Sequence, residues 1–222
     1  SHSYGEYVFD WAWADAYERH GLAYYPKLVS AVPFTPVPGR RLLTHTSGHR
    51  AMLVNAVRAF AEEKRVSSFH GLFLPHEEAD EARRHGMMLR RGVQFHWHNA
   101  DYLTFEAFIS ALSHDKRKKI RQERRKVRDA GITYRWVTGG DISEDLWRFF
   151  HRCYCNTYRL HRSTPYLNLS FFQRIGTAMP DNTVMFVAME NDIPIAASLA
   201  MRGGERLYGR YWGSTGYMPG LH

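Results

Sequence analysis

The sequence predicts a mixed α+β fold, and three observations carry that reading. From residue 132 onward, apolar periodicity runs strand, helix, helix, then three consecutive strands separated by Asn191-Asp192 and Gly203-Gly204. Between residues 25 and 99, shorter segments alternate as strand, helix, strand, helix and strand pair. Finally, 44% hydrophobic and 14% aromatic content in 222 residues is ample for a core and argues against disorder. The length exceeds one average domain and falls short of two, at roughly 150 residues per domain.

In order, residues 9–19 (FDWAWADAYER) read as a short helix closed by Gly21. Residues 25–34 are strand-like, and Pro33, Pro36, Pro38 and Gly39 then break the pattern. Ser47 is the expected cap of a long helix with Met52, Val54, Ala56, Val57, Phe60 and Ala61 at helical spacing. A strand over 68–74 and a short helix over 76–85, ended by Gly86, come next. Residues 87–99 give two short strand segments broken at Arg91-Gly92. A helix starts over 105–112, breaks at His114-Asp115 and resumes as a basic helix to Ala130-Gly131. A strand over 132–137 precedes a helix capped by Ser143, with Leu146, Trp147, Phe150, Cys153 and Tyr154 inward. A helix over 169–178 leads into strands over 183–189, 193–201 and 206–212.

Charge is concentrated in one place. Residues 114–128, HDKRKKIRQERRKVR, hold nine Lys/Arg against two acids, which is +7 of the formal +8. Such an element suits an anionic partner such as RNA, a nucleotide or phospholipid head groups; the plainer alternative is a solvated helix face. Ile120 and Val127 are its only strong apolar residues, too narrow a stripe for a membrane-surface helix. It has no interleaved aromatics, so binding would be to phosphate and salt-dependent.

The only cysteines, Cys153 and Cys155, diverge on a helix; they read as structural thiols in a reducing compartment. No apolar run is long enough to span a membrane and no leader pattern opens the chain, so a cytoplasmic location is expected. The chain starts without Met and stops at Gly220-Leu221-His222, and reads as a piece of a longer protein.

Three segments carry candidate chemistry. In VQFHWHN at 93–99, a strand would put Gln94, His96 and His98 on one face and Val93, Phe95 and Trp97 on the core face. Two imidazoles and an amide could orient a substrate, move a proton near neutral pH or begin a metal site, although no third ligand is marked. The alternative is exposed histidine on a strand edge. In LYGRYWG at 207–213, strand spacing places Tyr208, Arg210 and Trp212 together, an arrangement that could hold a carboxylate or phosphate. Gly209 and Gly213 would mark close approach by a ligand or another backbone; the alternative is a β-bulge with a cation–π stack. Near the start, Glu6 and Asp10 lie among aromatics that would raise a carboxyl pKa, although helix capping is the commoner task for Asp10. No GxxxxGK[ST], GxGxxG, GxSxG or HExxH motif is present, which removes the usual nucleotide hydrolases, dehydrogenases, serine hydrolases and zinc proteases.

The phrases SHSYGEYVFDWAWADAYERHG (1–21), YYPKL, VPFTPV and GRRLL (24–43), GVQFHWHN (92–99), KRKKIRQERR (116–125) and LYGRYWG (207–213) resemble the FemAB-like branch of the GNAT acyl-CoA N-acyltransferase superfamily. The resemblance spans essentially the whole chain. It implies parts of two tandem GNAT-like domains: residues 1–103 ending the first, a helical connector over 104–131, and 132–222 beginning the second. It further implies that the second domain continues past His222 with the helix and strand that bind donor phosphates, so that this piece alone would be inactive. Fem enzymes, similar in architecture, transfer an amino acid from aminoacyl-tRNA to an amine of a peptidoglycan precursor.

The expectation is therefore an N-acyltransferase with acyl-CoA or aminoacyl-tRNA as co-substrate and an amine acceptor, possible in a peptidoglycan precursor. His96 or His98, with Gln94, would take the amine proton. Tyr208, Arg210 and Trp212, with Glu6 and Asp10, would hold substrate. Lys118, Arg121, Arg124 and Arg125 would contact donor phosphates or RNA; no metal is assigned. The alternative from another class is a non-catalytic module that binds RNA or a cell-wall precursor on a GNAT scaffold.

Overall fold

Seven helices and six strands are present among the described residues, 8–217 and 219–221 of this computed structural model, and they fall into two units, 1–97 and 98–222. The mixed α+β class holds, with one parallel and one antiparallel sheet.

The first unit contains α1 (Trp11–Arg19), β1 (Leu28–Ser30), α2 (Arg50–Glu63), β2 (Phe69–Gly71) and α3 (His76–Arg84). β1 and β2 pair in parallel, Leu28 opposite Phe69 and Val29 opposite His70. Parallel neighbours need a crossover, and α2 lies within it. The expected strand over 25–34 shrinks to three residues, because prolines past Ser30 cannot donate to a ladder. Ser47 does not cap α2; it opens a single 3-10 turn, Ser47–His49, and the helix begins at Arg50. Of the six apolar residues at helical spacing in α2, only Val54 is buried; Tyr24, Leu42 and Leu72 are the other buried apolar residues of this unit among those described. Glu78 is fully buried, and its Oε2 accepts from the backbone N–H groups of Arg41 (2.7 Å) and Leu42 (2.9 Å), clamping that loop to α3.

The strand pair expected over 87–99 is absent. Every residue from 91 to 100 is exposed, and the intended core face, Val93, Phe95 and Trp97, is 81%, 98% and 64% exposed. Alternation states which face a strand would bury, but a strand also needs a ladder partner, and among the described residues this segment has none.

The second unit contains α4 (Phe105–Ser110), α5 (His114–Asp129), β3 (Ile132–Thr138), α6 (Glu144–Leu160), α7 (Leu169–Ala178), β4 (Thr183–Glu190), β5 (Ile193–Gly203) and β6 (Arg206–Ser214). The strands form an antiparallel sheet in the order β3-β4-β5-β6. Ser143 and Asn168 cap α6 and α7 by accepting from Leu146 N and Phe171 N. α6 buries Leu146, Trp147, Phe150, Cys153 and Tyr154 against Phe172, Met185, Val187 and Leu199. The β4–β5 turn places Asn191 and Asp192 at φ 50° and 63°, the left-handed pair that a two-residue hairpin requires.

β6 lies directly on α6. A Cβ on Gly213 would collide with the Cys153 carbonyl and come within 2.7 Å of Thr157 Oγ1, whereas one on Gly209 would meet nothing within 4 Å. The close approach is thus by backbone, and it sits at Gly213 alone. Gly213→Ala should lower stability by about 2 kcal/mol or more through overpacking, with Gly209→Ala close to neutral. Urea unfolding of both variants checks this; equal effects would refute the packing.

Candidate functional site

The basic segment forms one helix, α5, with 16 residues. Val127 anchors it, buried among Ile132, Ala188, Ala196 and Leu221. Along another face, His114, Arg117, Lys118, Arg121, Gln122 and Arg125 line an open groove of about 430 Å³. These positions recur at three- and four-residue spacing, so they share a helix face. No carboxylate lines that groove. Acids border it all the same: Glu106 accepts from Arg121 at 2.7 Å and lines the adjoining groove, Asp115 Oδ1 lies 3.4 Å from His114 Nδ1, and Glu123 pairs with Lys119 at 3.8 Å. Arg124 sits over the Phe105 ring at 4.1 Å, beside a second groove shared with Arg121, Arg125 and Arg128. Of the four cations expected to meet phosphate, Lys118, Arg121 and Arg125 converge on the first groove and Arg124 on its neighbour. Sequence spacing gave no sign of the aromatic partner, because Phe105 comes from α4.

In the 94–98 segment, Gln94 Nε2 donates to the Pro36 carbonyl at 2.8 Å and its Oε1 lies 3.3 Å from His96 Nε2. Both residues are exposed, as is His98, which begins the second unit. The shared strand face is not formed.

β6 corrects a second expectation. Leu199 stands opposite Tyr211, but its neighbour Ala200 stands opposite Gly209, so Arg210 is an extra residue in a β-bulge. The bulge reverses the alternation. Tyr208, paired with Met201, and Trp212, paired with Ser198, therefore fall on opposite faces of the sheet. Arg210 turns to Tyr211 instead, with its guanidinium 4.8 Å from the ring centroid and Nη2 donating to the hydroxyl at 3.0 Å. Burial, followed by the hydrogen bond with Tyr166, holds the Tyr211 phenol well above its ordinary value. Burial pushes the Cys153 thiol up to about 11, as suits a structural thiol.

The first unit gathers a site that spacing did not reveal. Asp10 is 5% exposed and pairs with Lys27, itself buried. Tyr24 donates its hydroxyl to the same carboxylate oxygen at 2.6 Å. Asp10 stands at the N-cap position of α1, but its side chain makes no cap hydrogen bond, so the capping alternative does not hold; its backbone carbonyl accepts only the usual first-turn bonds from Trp13 and Ala14. Burial alone would raise the Asp10 pKa; hydrogen bonds from Lys27 and Tyr24, with the Lys27 charge, outweigh it and leave the carboxyl below its usual range. Glu6 lies outside the described residues. Next to this pair, His70 Nε2 lies 2.8 Å from Ser68 Oγ, and its ring meets Tyr24 edge-on at 6.3 Å. Burial, then the Lys27 charge, lowers the His70 pKa. Asp10 was singled out from sequence, whereas Tyr24, Lys27 and His70 were not.

Among the described residues, no group of three or more His, Cys, Asp or Glu is placed to hold a metal ion. None of the described helices is long and apolar enough to cross a membrane.

Comparison with protein families decides the kinship: the FemAB-like model, described as peptidoglycan biosynthesis/recognition, matches residues 1–222. The chain belongs to the FemAB-like family. No curated protein matches it. Family membership ties the FemAB-like chain to peptidoglycan biosynthesis or recognition and fits a peptidoglycan precursor as partner.

The His70 environment sets a sign for pH dependence. Its folded pKa lies below the ordinary 6.5, so the unfolded chain takes the proton first and folding stability falls as pH drops from about 6.5 toward the folded value. Urea midpoints should therefore decline between pH 7 and pH 5, with a shallower decline in His70→Asn. An identical slope in the variant would contradict the assignment.

Proposed function

We propose that this chain carries parts of a FemAB-like N-acyltransferase of the GNAT type, which moves an acyl or aminoacyl group from a phosphate-bearing donor to an amine. The observation that carries the reading is the carboxylate-free groove on α5. Like charges three and four residues apart on a helix repel, and cations in the first turns oppose the helix dipole. Lys116, Arg117 and Lys118 accept both penalties. A bound polyanion relieves them, whereas a purely solvated face has no use for such concentration. The element order β3, α6, α7, β4, β5, β6 supports a GNAT-type layout. In such a layout β6 borders the acyl-donor cleft. The bulge at Arg210 interrupts the regular β5–β6 ladder at that point.

Donors of two kinds fit, acyl-CoA and aminoacyl-tRNA, and the number of phosphates engaged separates them. The test is fluorescence anisotropy with tRNA and with CoA across a salt series, using the chain and its Arg121→Glu/Arg124→Glu/Arg125→Glu variant. For tRNA, the log–log salt slope should fall by about three in the variant, one per lost phosphate contact. Equal, negligible binding of both probes by both proteins would make α5 a solvated helix. Binding without turnover of an aminoacyl or acyl donor, in a protein that includes both complete domains, would favour a recognition module over a transferase.

A further inference from the structure

α5 has no aromatic residue of its own, but the sheet beside it does. Through Val127, α5 packs on Ile132, Ala188 and Ala196 of β3, β4 and β5. Their alternate neighbours Val187 and Ala197 pack with α6, so α5 lies on the opposite face of the sheet. It covers one end of that face. Ladder register sets Tyr134 in the covered row, opposite Ala188, and the next row across all four strands is Trp136, Phe186, Ser198 and Trp212. The three rings of that row are 67%, 37% and 41% exposed, and Tyr134 is 62% exposed. Trp212 is anchored by its backbone: Thr157 of α6 donates to its carbonyl at 2.9 Å. Burial raises the Tyr134 pKa and the Arg124 charge partly offsets it, in keeping with a cation at this edge of the rings. Neither row contains an acidic residue; Glu190, on the same face, lies beyond Ala188 and opposite Ile132.

We propose that this aromatic row is a stacking platform for single-stranded RNA. The strand's phosphates meet Arg121, Arg124, Arg125 and Arg128, which line the second groove of α5 together with Phe105 and one acid, Glu106. Exposed rings beside a cationic element are the combination that single strands require: bases stack on the rings and phosphates meet the cations. At about 4.8 Å per strand, Phe186 and Trp212 stand about 10 Å apart with only the small Ser198 between them, a gap that one base fills. Trp136, next to Phe186, offers a surface to a second base. Other ligands use only part of this arrangement. A duplex keeps its bases stacked inside and presents phosphate alone. An acyl-CoA brings a single base, and an apolar helix would leave the cations unused. The proposal rests on the donor reading above and narrows it, because of the two donors only aminoacyl-tRNA ends in a run of unpaired nucleotides.

The test follows the anisotropy of labelled decauridylate, and of a labelled RNA duplex of the same length, titrated with the chain and its variants. The single strand should bind more tightly than the duplex. Trp136→Ala and Trp212→Ala should each weaken it about tenfold, the size of one lost base stack. Trp212→Phe keeps a stacking ring and should retain most of the affinity, which a merely structural tryptophan would not explain. Inorganic polyphosphate, measured on the same samples, meets α5 alone. It should bind the tryptophan variants as it binds the parent and be lost in Arg121→Glu/Arg124→Glu/Arg125→Glu. Unchanged RNA affinity in both alanine variants, or a duplex bound as tightly as the single strand, would overturn the platform. Self-association of the chain that Trp136→Ala abolishes would make this face an interface between copies and overturn it too. If polyphosphate binds while the tryptophan changes leave RNA affinity untouched, the platform falls and the donor reading of α5 stands. If neither RNA nor polyphosphate binds, both fall.

Discussion

Asp10 and Lys27 leave water together, and the first unit is arranged around that fact. Each buried ion costs several kcal/mol of desolvation, which only close pairing and further hydrogen bonds offset. Both are provided here. Lys27 and the Tyr24 hydroxyl converge on one oxygen of Asp10, while the backbone carbonyl of the same residue starts α1. Lys27 directly precedes β1, and β1 is paired with the strand that carries His70. One ion pair therefore links the start of a helix to a two-stranded sheet that is too small to be stable by itself. Both charges also act on His70, second to its burial, with Lys27 lowering and Asp10 raising its pKa.

The second unit handles charge in the opposite way. Its core is a sheet covered by α6 and α7, with aromatic residues packed edge to face, such as Phe150 against Phe172 at 5.0 Å. Its cations stay in water on α5, which is held by the single buried side chain Val127. Buried charge in one unit is paired and shapes structure. Exposed charge in the other stays in water, where Arg117, Lys118 and Arg125 make no ion pair among the described residues and Arg121 pairs with Glu106. The same residue types thus serve different ends according to whether water remains next to them.

Much of the second unit could be read directly from the sequence, because its signals are local. The bounds of α7, the Ser143 cap, the inward face of α6 and the Asn191-Asp192 turn depend on residues within a few positions of one another. What failed depends on partners far away. Residues 93–97 alternate as a strand should, yet among the described residues no strand pairs with them. In β6 one extra residue, Arg210, reverses the parity on which the grouping of Tyr208 with Trp212 relied. In the Asp10 cluster, Lys27 is 17 positions away and His70 is 60, so no window of periodicity joins them. The bulge and cation–π alternative for 207–213 came closer, since glycines beside an arginine and tyrosine are themselves a local sign of irregularity.

If the Asp10–Lys27 pair organises the first unit, the two charges must be energetically coupled. A double-mutant cycle with Asp10→Asn, Lys27→Met and the double variant, read by urea unfolding at pH 7, measures that coupling. Each single change should destabilise strongly, with the double variant recovering about 2 kcal/mol or more relative to the sum. Additivity within about 0.5 kcal/mol would mean that the two residues act independently. The first unit would then owe its arrangement to packing rather than to the buried pair.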